Sequence, residues 1–299
     1  MKVHHLDCGT MRPLGAPAGL VCHVLLIETP TGLALVDTGV GGLLGRPSPA
    51  RRFGPARHLL RPSFDEAQTA VRQIERLGLD PADVRDVVLT HFDADHVGGL
   101  ADFPRARVHL TDAEATAAIH PATRREKERY KAVLRSHGPT LVRHPPPTGE
   151  SWRGFESATE LTGIAPGIVL IGLPGHTRGH AAVAVDAGSH WVLHAGDAFY
   201  HRGQVAGAGR TPVSLRAMER VVAHDWRKVL AHHERLAALW RAADPDLVLV
   251  NAHDPVLLAA ARARADTRTR SAGPVQRSRH EPGPERASRI SCRRAGGRR

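Results

Sequence analysis

The sequence predicts an α/β sandwich. Strand-like segments followed by a helix occur in both halves of the chain, which is the pattern of layered sheets and helices. Four short apolar runs, at residues 87–89, 168–171, 191–193 and 247–250, each stop just before a side chain able to bind metal: His91, His176, Asp197 and His253. The 299 residues are 41% apolar, enough for a substantial core, and only 4% aromatic, so aliphatic side chains must fill it.

The elements follow in order. Residues 21–29 are a buried strand, interrupted by His23, and residues 32–37 are the next. Pro30-Thr31-Gly32 between them has hairpin-turn chemistry. Residues 41–63 hold many Gly, Pro and Arg and read as a loop. Their Gly39-Val40-Gly41-Gly42-Leu43-Leu44-Gly45 start misses the dinucleotide spacing, because Leu44 stands at the last glycine position. Ala67, Ala70, Val71, Ile74 and Leu77 share one helical face, and Gly78 is placed to end that helix. A strand at 87–89 runs into His91. Another spans 107–110, and Thr111 can cap a helix that starts at Asp112. Residues 121–158 are charged, then Pro-rich, and read as an insertion, either a lid over a pocket or a plain surface excursion. Strands return at 168–171, 181–185 and 191–193. A helix over 226–242 places Val229, Leu230, His233, Leu236, Ala237 and Trp240 on its apolar side, and the strand 247–250 is the last.

Residues 1–260 read as one domain and 264–299 as a disordered Arg-rich tail without hydrophobic periodicity. Residues 262–299 hold twelve arginines and three acidic residues, so they carry +9 of the net +11 and leave +2 for the rest. The body therefore gives no electrostatic sign of nucleic acid, which only the basic tail could contact. No run of 18 apolar residues suggests a membrane span, and no apolar stretch follows Lys2 as a signal peptide requires. Cys8, Cys22 and Cys292 are few and lack paired spacing; Cys8 and Cys22 read as small core residues, and a reducing cytoplasm is expected.

The chemistry concentrates in Thr90-His91-Phe92-Asp93-Ala94-Asp95-His96. His91 and Asp93, two apart after a strand, can share one ion, while Asp95 and His96 turn to a second. His176 completes the first set and His253 the second, and Asp197 can bridge through its two oxygens. Paired ions of this kind sit about 3.5–4 Å apart. Imidazole and carboxylate together suit divalent transition metals.

Read jointly, these motifs resemble the metallo-β-lactamase superfamily over roughly residues 18–255. The resemblance rests on Asp37-Thr38-Gly39, Thr90 through Gly99, Pro174-Gly175-His176-Thr177-Arg178-Gly179-His180, Gly196-Asp197 and His253, all in family order. It implies an αββα sandwich of two mixed β-sheets flanked by helices. It also implies that His91, Asp93 and His176 hold one metal and Asp95, His96 and His253 the other, with Asp197 bridging. Asp37 would support the ligand loop rather than bind. Asp93 departs from the family, which usually has a second His there. Two zinc ions are expected, although a carboxylate shifts preference toward iron or manganese.

Gly196-Asp197-Ala198-Phe199-Tyr200 is similar to the N-acyl-homoserine lactonase-like branch, which implies a quorum-quenching lactonase with the Tyr200 hydroxyl on the substrate carbonyl. Metal ions lower a water's pKa from 15.7 to about 7, giving a bridging hydroxide that attacks the carbonyl, with Asp95 orienting it and later passing a proton to the leaving oxygen. The expected substrate is a small ester, lactone or thioester. A glyoxalase II-like thioesterase and an RNase Z-like nucleic-acid-processing enzyme are the alternatives. No serine nucleophile elbow and no Walker loop is present.

Overall fold

The computed structural model describes residues 1–271, apart from 14–15, 17, 42–48, 147–150 and 208–209. Strands β1 (Lys2–Met11), β2 (Leu20–Thr29), β3 (Gly32–Val36), β4 (Val84–Val88), β5 (Arg107–Thr111) and β6 (Thr140–His144) form one sheet in that spatial order. The β1–β2 and β2–β3 pairs are antiparallel, and the rest are parallel. The second sheet has β7 (Ala158–Glu160), β8 (Ile168–Gly172), β9 (Ala181–Asp186), β10 (Trp191–His194) and β11 (Leu247–Val250) in the order β11-β10-β9-β8-β7, with only β10 and β11 parallel as neighbours. The helices are α1 (Pro49–Phe53), α2 (Ala56–Leu60), α3 (Ala70–Arg76), α4 (Ala94–Val97), α5 (Asp112–Ile119), α6 (Arg124–Arg129), α7 (Val213–Val222), α8 (Trp226–Ala242) and α9 (Pro255–Ser271).

Alternation along the strands explains the layers. In β2, Leu25 and Ile27 enter the core that also holds Ile171, Val183 and Val192 of the second sheet. Their neighbours Val24 and Leu26 enter a separate core with Ile74 of α3 and Ala115 of α5. Side chains two apart share a face, so a strand covered on both sides must be apolar at every position. Leu236 of α8 and Leu257 of α9 belong to the first core, so each sheet has helices on its outer side.

Three expectations need correction. Part of the segment 121–158 is not an insertion, because β6 pairs with β5 and completes the first sheet. Helices α1 and α2 lie in the stretch read as a loop. Helix α9 continues through Ser271, so the chain is helical over 264–271, and residues 272–299 of the expected tail lie outside the described residues. Strand β1, unread in the sequence, forms an edge of the first sheet. No helix among the described residues is long and apolar enough to cross a membrane.

Candidate metal centre

The C-terminal ends of β8, β10 and β11 point the same way, because β9 is antiparallel to both β8 and β10 while β11 is parallel to β10. The end of β4 meets them: the Ala181 amide at the start of β9 donates to the Thr90 carbonyl at 2.8 Å. The loops after these four strands carry His91, His176, Asp197 and His253. Short helix α4 then supplies Asp95 and His96.

Three of the four imidazoles, those of His96, His253 and His91, are aimed by the outer nitrogen, whereas His176 Nδ1 is buried without a partner. His96 Nδ1 lies 2.8 Å from Asp37 Oδ2, and His253 Nδ1 lies 2.8 Å from the Val21 carbonyl. His91 Nδ1 is 3.0 Å from Thr90 Oγ1. Fixing one nitrogen turns the other inward and sets its tautomer. Asp37 also accepts from the Thr90 amide at 2.8 Å and the Thr90 hydroxyl at 2.7 Å. It follows β3 with φ of 60°, a left-handed conformation that Asp tolerates better than most residues. Behind Asp197, His180 Nε2 accepts the Asp197 amide at 2.9 Å and Nδ1 faces the Leu173 carbonyl at 3.1 Å. Gly98 explains itself by proximity, since a Cβ there would lie 2.0 Å from the Val40 carbonyl oxygen.

The seven expected side chains converge. Asp197 Oδ2 lies 3.4 Å from His176 Nε2 and 3.9 Å from His91 Nε2. Its Oδ1 lies 3.3 Å from His96 Nε2 and 3.1 Å from His253 Nε2. Asp93 Oδ2 is 3.3 Å from His91 Nε2 and 3.1 Å from His176 Nε2. Asp95 Oδ2 is 3.5 Å from His253 Nε2 and 3.7 Å from His96 Nε2. His91 Nε2, His96 Nε2 and Asp197 Oδ1 are buried without a hydrogen-bond partner. Orphaned buried donors and acceptors of this kind are rare, and inward nitrogens with carboxylates are a donor set that fits divalent metal. Burial would raise the Asp197 carboxyl, but the surrounding His253, His96 and His176 outweigh it and hold it well below the usual carboxylate range.

Four residues at this site had no functional role in the sequence reading. Arg129, the last residue of α6, forks onto Asp93 with Nε–Oδ1 at 2.6 Å and Nη2–Oδ2 at 2.8 Å. Its only forewarning was Thr123-x-x-Glu126, a capping box that announces α6. Glu114 is fully buried and takes four bonds, from the Phe92 amide, the Tyr130 hydroxyl, the Thr177 hydroxyl and the Gly179 amide. Thr90 ties Asp37 to the motif. Cys22, read as a plain core residue, is buried but also brings its sulfur into one cluster with Asp95 and His253, their donor atoms within 4.8 Å of one another. Tyr200 is buried, its ring 5.4 Å from His253 and 6.0 Å from His176, edge to face. A cavity of about 330 Å³ opens onto these residues, with Met11, Leu20, Phe53, Leu60 and Met218 along its apolar wall.

The chain is similar to known proteins over most of its length. The chain is 54% identical over 262 residues to a probable metallo-hydrolase of Mycobacterium tuberculosis, covering 88% of this chain and 83% of that one. It is 32% identical over 120 residues to the N-acyl homoserine lactonase AttM of Agrobacterium fabrum, 40% of this chain and 44% of that protein. Its fold superposes on a mutant of B. thuringiensis AiiA with N-decanoyl-L-homoserine bound at the active site, with a TM-score of 0.61 at 21% identity, covering 87% of this chain and 95% of that one. Residues 17–253 match the metallo-beta-lactamase superfamily, so the chain belongs to that superfamily and is a metallo-hydrolase.

Proposed function

We propose that the protein is a dinuclear hydrolase that opens a small ester-like substrate, a lactone. His91, Asp93 and His176 would hold one divalent cation, and Asp95, His96 and His253 the other, with Asp197 shared. The observation that carries this reading is the placement of Asp197, whose Oδ2 faces His91 and His176 while Oδ1 faces His96, with His253 Nε2 within 3.1 Å of Oδ1 and 3.3 Å of Oδ2. Zinc is the ion we propose, with iron or manganese the alternative that a carboxylate at Asp93 favours. When bound, the pair supplies an acidified water and Lewis-acid polarisation of a carbonyl.

The chain's own residues do the remainder. Asp95, which lines the cavity, orients the attacking water and returns a proton to the leaving oxygen. Tyr200 donates its hydroxyl to the substrate carbonyl and to the oxyanion that develops there. Burial, and then the Asp197 carboxylate, push its phenol well above the ordinary range, so it stays protonated and remains a donor. The apolar wall excludes water and suits an acyl tail. The similarity to an N-acyl homoserine lactonase adds weight to a lactone over a thioester or a phosphodiester.

The test combines metal analysis of freshly purified protein with a panel of a lactone, a thioester and a phosphodiester. Lactone turnover that disappears with chelation is the expected result, and preference for another arm of the panel would replace the substrate class. Asp197→Ala should lose metal and activity together; full metal content in that variant would remove Asp197 from its bridging role.

A further inference from the structure

The guanidinium of Arg129 reaches into the first of the two proposed positions. All five of its N–H donors are used. Nε binds Asp93 Oδ1 at 2.6 Å, and Nη2 binds Asp93 Oδ2 at 2.8 Å and His176 Nε2 at 2.9 Å. Nη1 donates to the His176 carbonyl at 3.1 Å and the Val222 carbonyl at 3.0 Å. The helix that carries it is itself anchored. Glu126 accepts from Arg178, at 2.6 Å to each carboxylate oxygen, and Arg125 binds the Val221 carbonyl. Tyr130, the next residue, binds Glu114. Arg129 is thus held at the site by its backbone neighbours as well as by its own fork.

His176 Nε2 has one lone pair. An N–H bond from Nη2 and a bond to a metal ion both require it, so they exclude each other. The same cationic nitrogen also sits against Asp93 Oδ2, the oxygen that faces His91 and His176. The other position differs: among the described residues, no arginine or lysine bonds to Asp95, His96 or His253.

We propose that Arg129 is a resident cation that competes with a divalent ion for the first position, so that the two positions load in order, the one at Asp95, His96 and His253 first. This inference rests on the cation pair proposed above. It also gives Asp93 a purpose in this chain. A carboxylate can pair with a guanidinium where the neutral imidazole usual at that place could not do so as strongly. With Arg129 in place, the charge of one lost metal ion is partly replaced and Asp93 is never left unpaired.

The experiment is a titration of chelator-stripped full-length protein with Zn²⁺ against a chromophoric competitor, repeated on Arg129→Gln and Arg129→Lys. In the unaltered protein the first equivalent should bind at least about tenfold more tightly than the second, the size of one charge-assisted hydrogen bond that the second ion must displace. Arg129→Gln should tighten the second equivalent by about the same factor while moving the first by less than about threefold. Arg129→Lys, which keeps the charge but not the fork, should fall between the two. Two equivalents of equal affinity in the unaltered protein would overturn the inference without any variant. So would a second equivalent unmoved in Arg129→Gln that circular dichroism shows to be folded. Failure of all three proteins to take up zinc, cobalt or manganese would instead overturn the metal-centre reading on which the inference stands.

Discussion

Tyr200 stands edge-on to His253 and close to His176 and lines the cavity. Tyr200→Phe keeps the ring and its packing and removes only the donor. Its kcat/KM on the preferred lactone should fall by about 10²-fold, the scale of one oxyanion donor, with metal content unchanged. Unaltered kinetics would make Tyr200 a packing residue. At this scale the sequence was most informative where residues act jointly. His91, Asp93, Asp95, His96, His176, Asp197 and His253 were legible because each lies just past a strand and all follow one order. Arg129 was not, because nothing inside the charged run 124–129 distinguishes the one arginine that turns inward from those that face solvent. Glu114 was hidden for a similar reason, since an acid in the first turn of a helix ordinarily complements the helix dipole.

Helix α5 gains a second duty through that glutamate. Glu114 Oε1 accepts from Phe92 beside His91, and Oε2 accepts from Thr177 and Gly179 beside His176, so one carboxylate joins the loops after β4 and β8. Glu114→Ala leaves the Phe92 and Gly179 amides buried and unpaired, at a cost of about 1–3 kcal/mol each. Urea unfolding should report that loss, and zinc affinity should fall with it. A less stable variant with undiminished affinity would show that the two loops are aligned by something else. Among the elements, β2, β3, β8 and β9 were readable because burial on both faces demands unbroken apolar runs. The 226–242 helix matched its expected ends, although Leu230, assigned to its apolar side, is 41% exposed. Strand β1 was not readable, because its burial is interrupted at Lys2, His4, Asp7 and Thr10 and its polar letters resemble a loop. Strand β6 was missed because only its pairing with β5 distinguishes it from the charged chain before it.

At the scale of the whole molecule, the body stores uncharged histidines that are not among the proposed metal ligands. His5 Nδ1 meets His23 Nε2 at 3.0 Å, and His23 stacks edge-on to His194. Burial first, then the neighbouring His194, lowers the His5 pKa from 6.5 to about 3; burial pushes His23 and His194 the same way. These rings are neutral when folded and take up protons when unfolded, so the unfolded state binds more protons between about pH 6.5 and 3, and stability drains away as pH falls through that window. His5→Leu removes one such proton. In metal-free protein, the plot of unfolding free energy against pH should become shallower by about 1.4 kcal/mol per pH unit below pH 6. Parallel plots for the two proteins would refute the linkage.

The meeting of the two sheets at Ala181 and Thr90 has one more consequence. The first layer brings His91, Asp93, Asp95 and His96, and the second brings His176, Asp197 and His253. Under the proposed ligand assignment neither layer owns a finished set of donors, so the ability to capture ions would emerge only when the halves of the sandwich dock, and captured ions would rivet those halves together.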